Sequence, residues 1–124
     1  MSTESKKSIL VVEDDAATRD AVSLALEDEG YSVTGVANGK EALLHLRRTT
    51  PPPNLILLDL MMPIMNGCEF RKQQRQDPAL KAIPVVVVSA DAGVPQKAAS
   101  LGAADYLIKP VDFDKLVEAV QRHC

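Results

Sequence analysis

NLILLDLMMP, residues 54–63, is the stretch that decides the fold. Leu55, Ile56, Leu57 and Leu58 follow one another with no polar alternation. A run of this kind fits a strand covered on both faces, as in a parallel sheet packed under helices. Asp59 comes next and Pro63 brings a turn. A carboxylate at the tip of the most apolar strand is costly unless a cation or a hydrogen-bond donor meets it.

Outward from this stretch, short apolar runs alternate with helical stretches. SILVV (8–12), Tyr31–Val36, Leu55–Asp59, PVVVVS (84–89) and Asp105–Ile108 read as five strands. The first helix is expected over about 16–29, with Gly30 at its C-terminal cap. Asn38 with Glu41 opens the second helix, whose Ala42, Leu43 and Leu46 point inward; Asn66 with Glu69 opens the third. A short fourth helix over 96–101 stops at Gly102. Asp112 caps a fifth, with Phe113, Leu116, Val117 and Val120 on one stripe. Thr49–Pro53 (TTPPP) is a stiff connector inside one domain, since neither side is long enough to fold alone. Five β–α repeats with right-handed crossovers give an α/β fold: a doubly wound, five-stranded parallel sheet with helices on both faces.

Composition narrows the function. With 124 residues, 46% hydrophobic and 25% charged, the chain has room for one domain with a real core. We expect a polar tail over 1–7, in which Lys6 and Lys7 are solvated, and the domain over 8–124. The chain ends within the last helix, so no output domain is expected within it, whether it acts alone or is one part of a longer protein. A net charge of −3 without a lysine or arginine stripe argues against a nucleic-acid surface. Cys68 and Cys124, with no ligand spacing around them, make neither a zinc site nor an indicated disulfide, and a reducing cytoplasm is the expected location. No signal peptide is expected, since residues 2–8 are polar and the apolar run after them is short, and no apolar run in the sequence reaches membrane-spanning length. Cys68 is expected to be a small buried hydrophobe, and His45 and His123 to lie on the surface among polar neighbours.

In doubly wound sheets, ligands gather outside the carboxyl ends of the strands. There the sequence places Glu13, Asp14 and Asp15 after the first strand and Asp59 after the third. Ser89 and Ala90 follow the fourth strand, and Lys109 and Pro110 the fifth. Each has an ordinary reading when taken alone: Asp14 or Asp15 as a helix cap, Ser89 as a turn residue, Lys109 as a solvated amine. Their convergence on one sheet edge is what points to a site. Two carboxylates about 5 Å apart repel by about 3 kcal/mol at an effective dielectric of 20, and a divalent cation relieves this. Carboxylates and water suit Mg²⁺. A phosphoryl group would complete the charge balance beside the amine and the hydroxyl, with Asp59 as the nucleophile.

The same residues carry a family resemblance. ILVVEDD (9–15), LILLDLMMPIMNG (55–67), PVVVVSA (84–90) and DYLIKP (105–110) resemble the receiver domain of two-component response regulators, in the single-domain, chemotaxis-regulator-like form. The resemblance covers about 8–122 and implies a flavodoxin-like sheet in the order 2-1-3-4-5. It implies that Asp59 is phosphorylated, that Asp14 binds Mg²⁺ directly and Glu13 through water, and that the Met61 carbonyl is a further ligand. Lys109 would pair with phosphoryl oxygens and Ser89 would hydrogen-bond the phosphoryl group, with small Ala90 leaving room. Tyr106 would turn inward as Ser89 moves, where the plainer reading is a fixed, half-buried core aromatic. Lys109–Pro110 would be cis. The implied partners are a sensor histidine kinase or histidine phosphotransfer protein and a downstream protein target, for a chain acting as a monomer or weak dimer. Such a domain catalyses its own phosphorylation and usually its own dephosphorylation, without being a conventional enzyme.

The chain departs from the family in three places. NGCEFRKQQRQD (66–77) has little that is apolar after Phe70, where the family buries an aliphatic near Gln74; a short, frayed or partner-facing third helix is expected. The segment from Ser89 to Lys109 is about two residues shorter than is common, and Gly93 and Pro95 fall where the fourth helix would begin. Asp91 and Met61 occupy the two positions that tune hydrolysis, and an acid at Asp91 could either orient or repel the attacking water. Two other function classes compete: a haloacid-dehalogenase-like small-molecule phosphatase, whose second Asp is replaced here by Met61, and a docking pseudo-receiver independent of phosphorylation.

Overall fold

The computed structural model describes residues 6–124. Most of the polar tail expected over 1–7 lies outside them; Lys6 and Lys7 are exposed, and Lys7 Nζ donates to the Cys124 carbonyl at 2.7 Å. The elements run β1 Ser8–Val12, α1 Ala16–Asp28, β2 Ser32–Val36, α2 Gly39–Arg48, β3 Leu55–Leu58, α3 Gly67–Gln76, β4 Val85–Ser89, α4 Val94–Ser100, β5 Asp105–Ile108 and α5 Phe113–His123. All strand pairs are parallel, in the order β2-β1-β3-β4-β5.

Strand residues alternate between two apolar layers, which is why the runs read as continuous. Leu10, Val12, Ile56, Leu58, Val85 and Val87 pack with Ala42, Leu46, Phe70 and Ala98 on the α2–α3–α4 side. Ile9, Val11, Leu55, Leu57, Val86 and Val88 pack with Val22, Leu26, Leu116 and Val120 on the α1–α5 side. Burying strands on both faces leaves only their ends for chemistry.

Local signals explain most boundaries. Asp15 caps α1 through the Thr18 amide, and Gly30 follows that helix at φ +95°. Asn66 and Glu69 form a complete capping box on α3. On α2 the Asn38 half forms, but the Glu41 carboxylate accepts from the Ala37 amide, one residue upstream of the reciprocal position. Pro95 sits in the first turn of α4, where its missing N–H costs no hydrogen bond, so the helix starts at Val94 rather than Gln96. Thr50–Pro51 and Lys109–Pro110 are both cis.

Several expectations need correction. Phe113 lies exposed at the start of α5, and the inward stripe is Leu116, Ala119 and Val120. Cys68 is exposed, because Gly67 takes the buried first position of α3 and the next residue turns outward. Cys124 is a second free thiol. His123 is half-buried and meets Asp105 at 3.1 Å, beside an Arg122–Asp105 ion pair of 2.8 Å; His45, also half-buried, lies against Thr49. No helix among the described residues is long and apolar enough to cross a membrane.

The largest misreading concerns α3, which is neither short nor frayed. Gln74 is 0% exposed and occupies the place expected of an aliphatic. Its Nε2 donates to the Leu80 and Ile83 carbonyls, each at 3.0 Å, and its Oε1 accepts from Arg71 Nη1 at 2.7 Å. Arg71, itself buried, donates onward to the Leu101 and Gly102 carbonyls beyond α4. A buried polar side chain with every atom satisfied can replace packing, but losing it leaves its partners bare. Gln74→Leu should therefore destabilise the fold by about 1–3 kcal/mol in chemical denaturation, despite adding an aliphatic to the core. A variant as stable as the parent would mean that the network adds nothing.

Candidate functional site

The pairing register builds the site. Val12 pairs with Leu58, so the residues that follow, Glu13 and Asp59, leave the sheet side by side. The Asp59 amide donates to the Val12 carbonyl and the Glu13 amide to the Val36 carbonyl, each at 3.0 Å. Both chain turns are thereby pinned to neighbouring strands just where their side chains enter the site. On the other flank, Ser89 pairs with Ile108, and the Lys109 amide donates to the Ser89 carbonyl at 3.0 Å. The sheet thus delivers Glu13, Asp14, Asp59, Ser89 and Lys109 to one edge.

Carboxylate oxygens of Glu13, Asp14 and Asp59 all lie within 4.8 Å of one another, Glu13 and Asp59 buried and Asp14 exposed. Lys109 Nζ sits 2.5 Å from Glu13 Oε1 and 3.1 Å from Asp59 Oδ2. The second Asp59 oxygen accepts from the Met61 amide at 3.1 Å, and the second Glu13 oxygen from the Asp15 amide at 3.1 Å. Burial pushes the Glu13 carboxyl up to about 7; Lys109 and the Asp15 amide oppose this, and the neighbouring Asp59 adds to it. Burial also works against the Lys109 ammonium, but Glu13 and Asp59 outweigh it and hold its pKa above the ordinary lysine value. One ammonium thus serves a cluster of three acids. Their donor set, hard oxygens with one exposed side, fits a divalent cation that prefers carboxylate and water.

The remaining expected residues are placed around this cluster. Ser89 is fully buried, and its Oγ accepts a long bond of 3.4 Å from the Asp91 amide. Ala90 is exposed beside it. Met61 is 64% exposed and lines an open cleft of about 510 Å³ with Asp14, Asn66, Asp91 and Lys97. Tyr106 is 39% exposed on β5, in line with exposed Ile108. Asp15 caps α1 and is not part of the acid cluster.

Two residues escaped the sequence reading. Arg19 donates through Nη1 to the Glu13 carbonyl at 2.8 Å, holding the acidic loop from below; an arginine in the early part of a helix, against its dipole, was the available signal. Lys97 pairs with Asp91 at the cleft, and its position became legible only once α4 was seen to begin at Val94.

Comparison with known proteins agrees with this geometry. The model of the response regulator receiver domain matches residues 9–121. The uncharacterized 14.6 kDa protein in the sodA1 3′ region of Leptolyngbya boryana is 41% identical over 126 positions, covering 100% of this chain and 95% of that protein. The alkaline phosphatase synthesis transcriptional regulatory protein SphR of Synechococcus elongatus is 38% identical over 88% of this chain. The chain spans only 45% of SphR, about half the length of the transcriptional regulators it matches. Among solved structures, the chemotaxis response regulator CheY4 of Vibrio cholerae superposes with a TM-score of 0.87 at 30% identity, covering 97% of this chain and 100% of that one. A response regulator from Chloroflexus aurantiacus gives 0.88 at 29% identity, over 95% and 97%. The register, the acid cluster and these likenesses agree: the chain belongs to the response regulator receiver domains of two-component signalling.

Proposed function

We propose that Asp59 is the phosphoacceptor, taking a phosphoryl group from a phosphohistidine on a sensor histidine kinase or a histidine phosphotransfer protein in the cytoplasm. The observation that carries this reading is the meeting of three carboxylates from two loops under a single ammonium, at the open end of a rigid sheet. Asp14, Asp59 and the Met61 carbonyl would hold Mg²⁺ directly, and Glu13 largely through water. When bound, that ion neutralises charge on the phosphoryl oxygens. An Asp59 Oδ forms the new bond to phosphorus as the bond to the donor's imidazole nitrogen breaks; the electron pair stays on that nitrogen. Lys109 pairs with a phosphoryl oxygen, and the Ser89 hydroxyl turns to donate to another, with Ala90 leaving room. Because Asp91 and Ser89 share one turn, this movement shifts the loop ahead of α4, and Tyr106 follows it inward. A downstream protein then binds the altered face.

Incubation with Mg²⁺ and acetyl phosphate should add one phosphoryl group to the intact mass, and Asp59→Asn should add none. Rapid turnover of phosphate esters without an adduct would indicate a phosphatase. An Asp59→Asn protein that is still modified would sink the assignment.

A further inference from the structure

Asp91 presents a carboxylate to the cleft that also contains Asp14 and Met61. Both of its oxygens are engaged. Oδ1 accepts from the Gly93 amide at 2.8 Å, and Oδ2 is held by Lys97 Nζ from the first turns of α4. An unengaged acid at this point would face the approach to phosphorus, where it could take a proton from incoming water. Held by two donors, each oxygen has a lone pair occupied, and the ammonium compensates the charge, which makes the carboxylate a poorer proton acceptor. Lys97 is half exposed at its tip, so nothing in the packing requires it to reach back to Asp91.

Resting on the reading of Asp59 as phosphoacceptor, we infer that Lys97 is a positioning residue: it holds Asp91 out of the hydrolytic water's path and so lengthens the life of the phosphoryl group. In hydrolysis, water oxygen forms a bond to phosphorus, the bond between phosphorus and Asp59 Oδ breaks, and inorganic phosphate leaves. The proton lost by water needs an acceptor. Asp91 freed from Lys97 supplies one, whereas Asp91 clasped by Lys97 leaves that proton to solvent. The same clasp offsets a negative charge that would otherwise repel an anionic donor at the cleft.

The test loads the whole chain with acetyl phosphate and Mg²⁺, removes the donor, and follows loss of the phosphoryl mass with time. Lys97→Met should shorten the lifetime by roughly fivefold or more, the scale of an added, imperfectly aligned base. Lys97→Arg keeps a donor and should stay within about twofold. Asp91→Asn combined with Lys97→Met should match Asp91→Asn alone, because the lysine acts only through the acid. An unchanged lifetime in Lys97→Met overturns the inference, as does an equal shortening in the Asp91→Asn background. If the parent takes no phosphoryl group at all, the reading of Asp59 fails as well; a parent that loads and decays alongside an indifferent Lys97→Met sinks only the role of Lys97.

Discussion

Lys109→Met should slow phosphoryl transfer to Asp59 by roughly 100-fold or more while tightening the binding of a divalent cation. The two effects have opposite signs because the ammonium plays two parts. In the resting protein it lies 2.5 Å from Glu13 and 3.1 Å from Asp59, and so competes with any cation for the same oxygens. Its removal leaves three acids without a compensating charge, and the cation should gain about five- to tenfold in affinity, discounted for partial solvent access. During transfer, however, negative charge spreads over the phosphoryl oxygens, and Lys109 is the one side-chain cation among the described residues that Asp59 touches. A fixed donor lost from that position costs on the order of 100- to 1,000-fold. Calorimetric Mg²⁺ titration and the rate of mass gain with acetyl phosphate read the two effects separately. Transfer at the parental rate would show that Lys109 is only a structural counter-ion.

The fold was legible because the strands are extreme. Leu55–Leu58 and Val85–Ser89 are buried on both faces, and sequences that must satisfy two cores leave no room for polar alternation. Site residues were legible for a related reason: polar groups directly after such runs have to emerge at one edge, and register makes them neighbours. Glu13 and Asp59 needed only the pairing of Val12 with Leu58. The failures came where side-chain satisfaction outranked polarity. Gln74 looked like a surface residue and is buried, because the turn at Leu80–Ile83 offers it two carbonyls and Arg71 offers it a donor. No periodicity reports partners contributed by a loop. Phe113 matched an apolar stripe but belongs to the first turn, beyond the reach of the sheet. Cys68 was misjudged by composition, since small thiols are usually buried, whereas the helix phase set by Gly67 decided its direction. Lys97 stayed hidden because an error of two residues at a helix start changes which side chain faces the site.

Gly67→Ala should be the most damaging of the glycine-to-alanine changes, harming both stability and phosphoryl loading. A Cβ at Gly67 would stand 2.4 Å from the Asp59 carbonyl oxygen, 2.7 Å from Leu60 Cα and 2.9 Å from Leu60 Cδ2. The first two are backbone atoms and cannot swing aside. Nor can Gly67 retreat, because its amide donates to the Leu60 carbonyl at 3.1 Å and the Asn66–Glu69 capping box fixes the following turn. Overpacking typically costs about 1–3 kcal/mol, and rigid neighbours put this case at the upper end. Relief requires β3's tip to shift, which carries Asp59 away from Glu13 and Lys109; a displacement of about 1 Å at a reacting group can cost on the order of 100-fold. Gly30→Ala supplies the contrast. Gly30 has φ +95° with nothing within 4 Å of the added methyl, so its cost is backbone strain of about 1–2 kcal/mol, remote from the site. Urea melts should therefore show both variants weakened, while acetyl phosphate should load Gly30→Ala like the parent and Gly67→Ala poorly, under conditions where both remain folded. Full loading of a folded Gly67→Ala would show that α3's close approach does not set the position of Asp59.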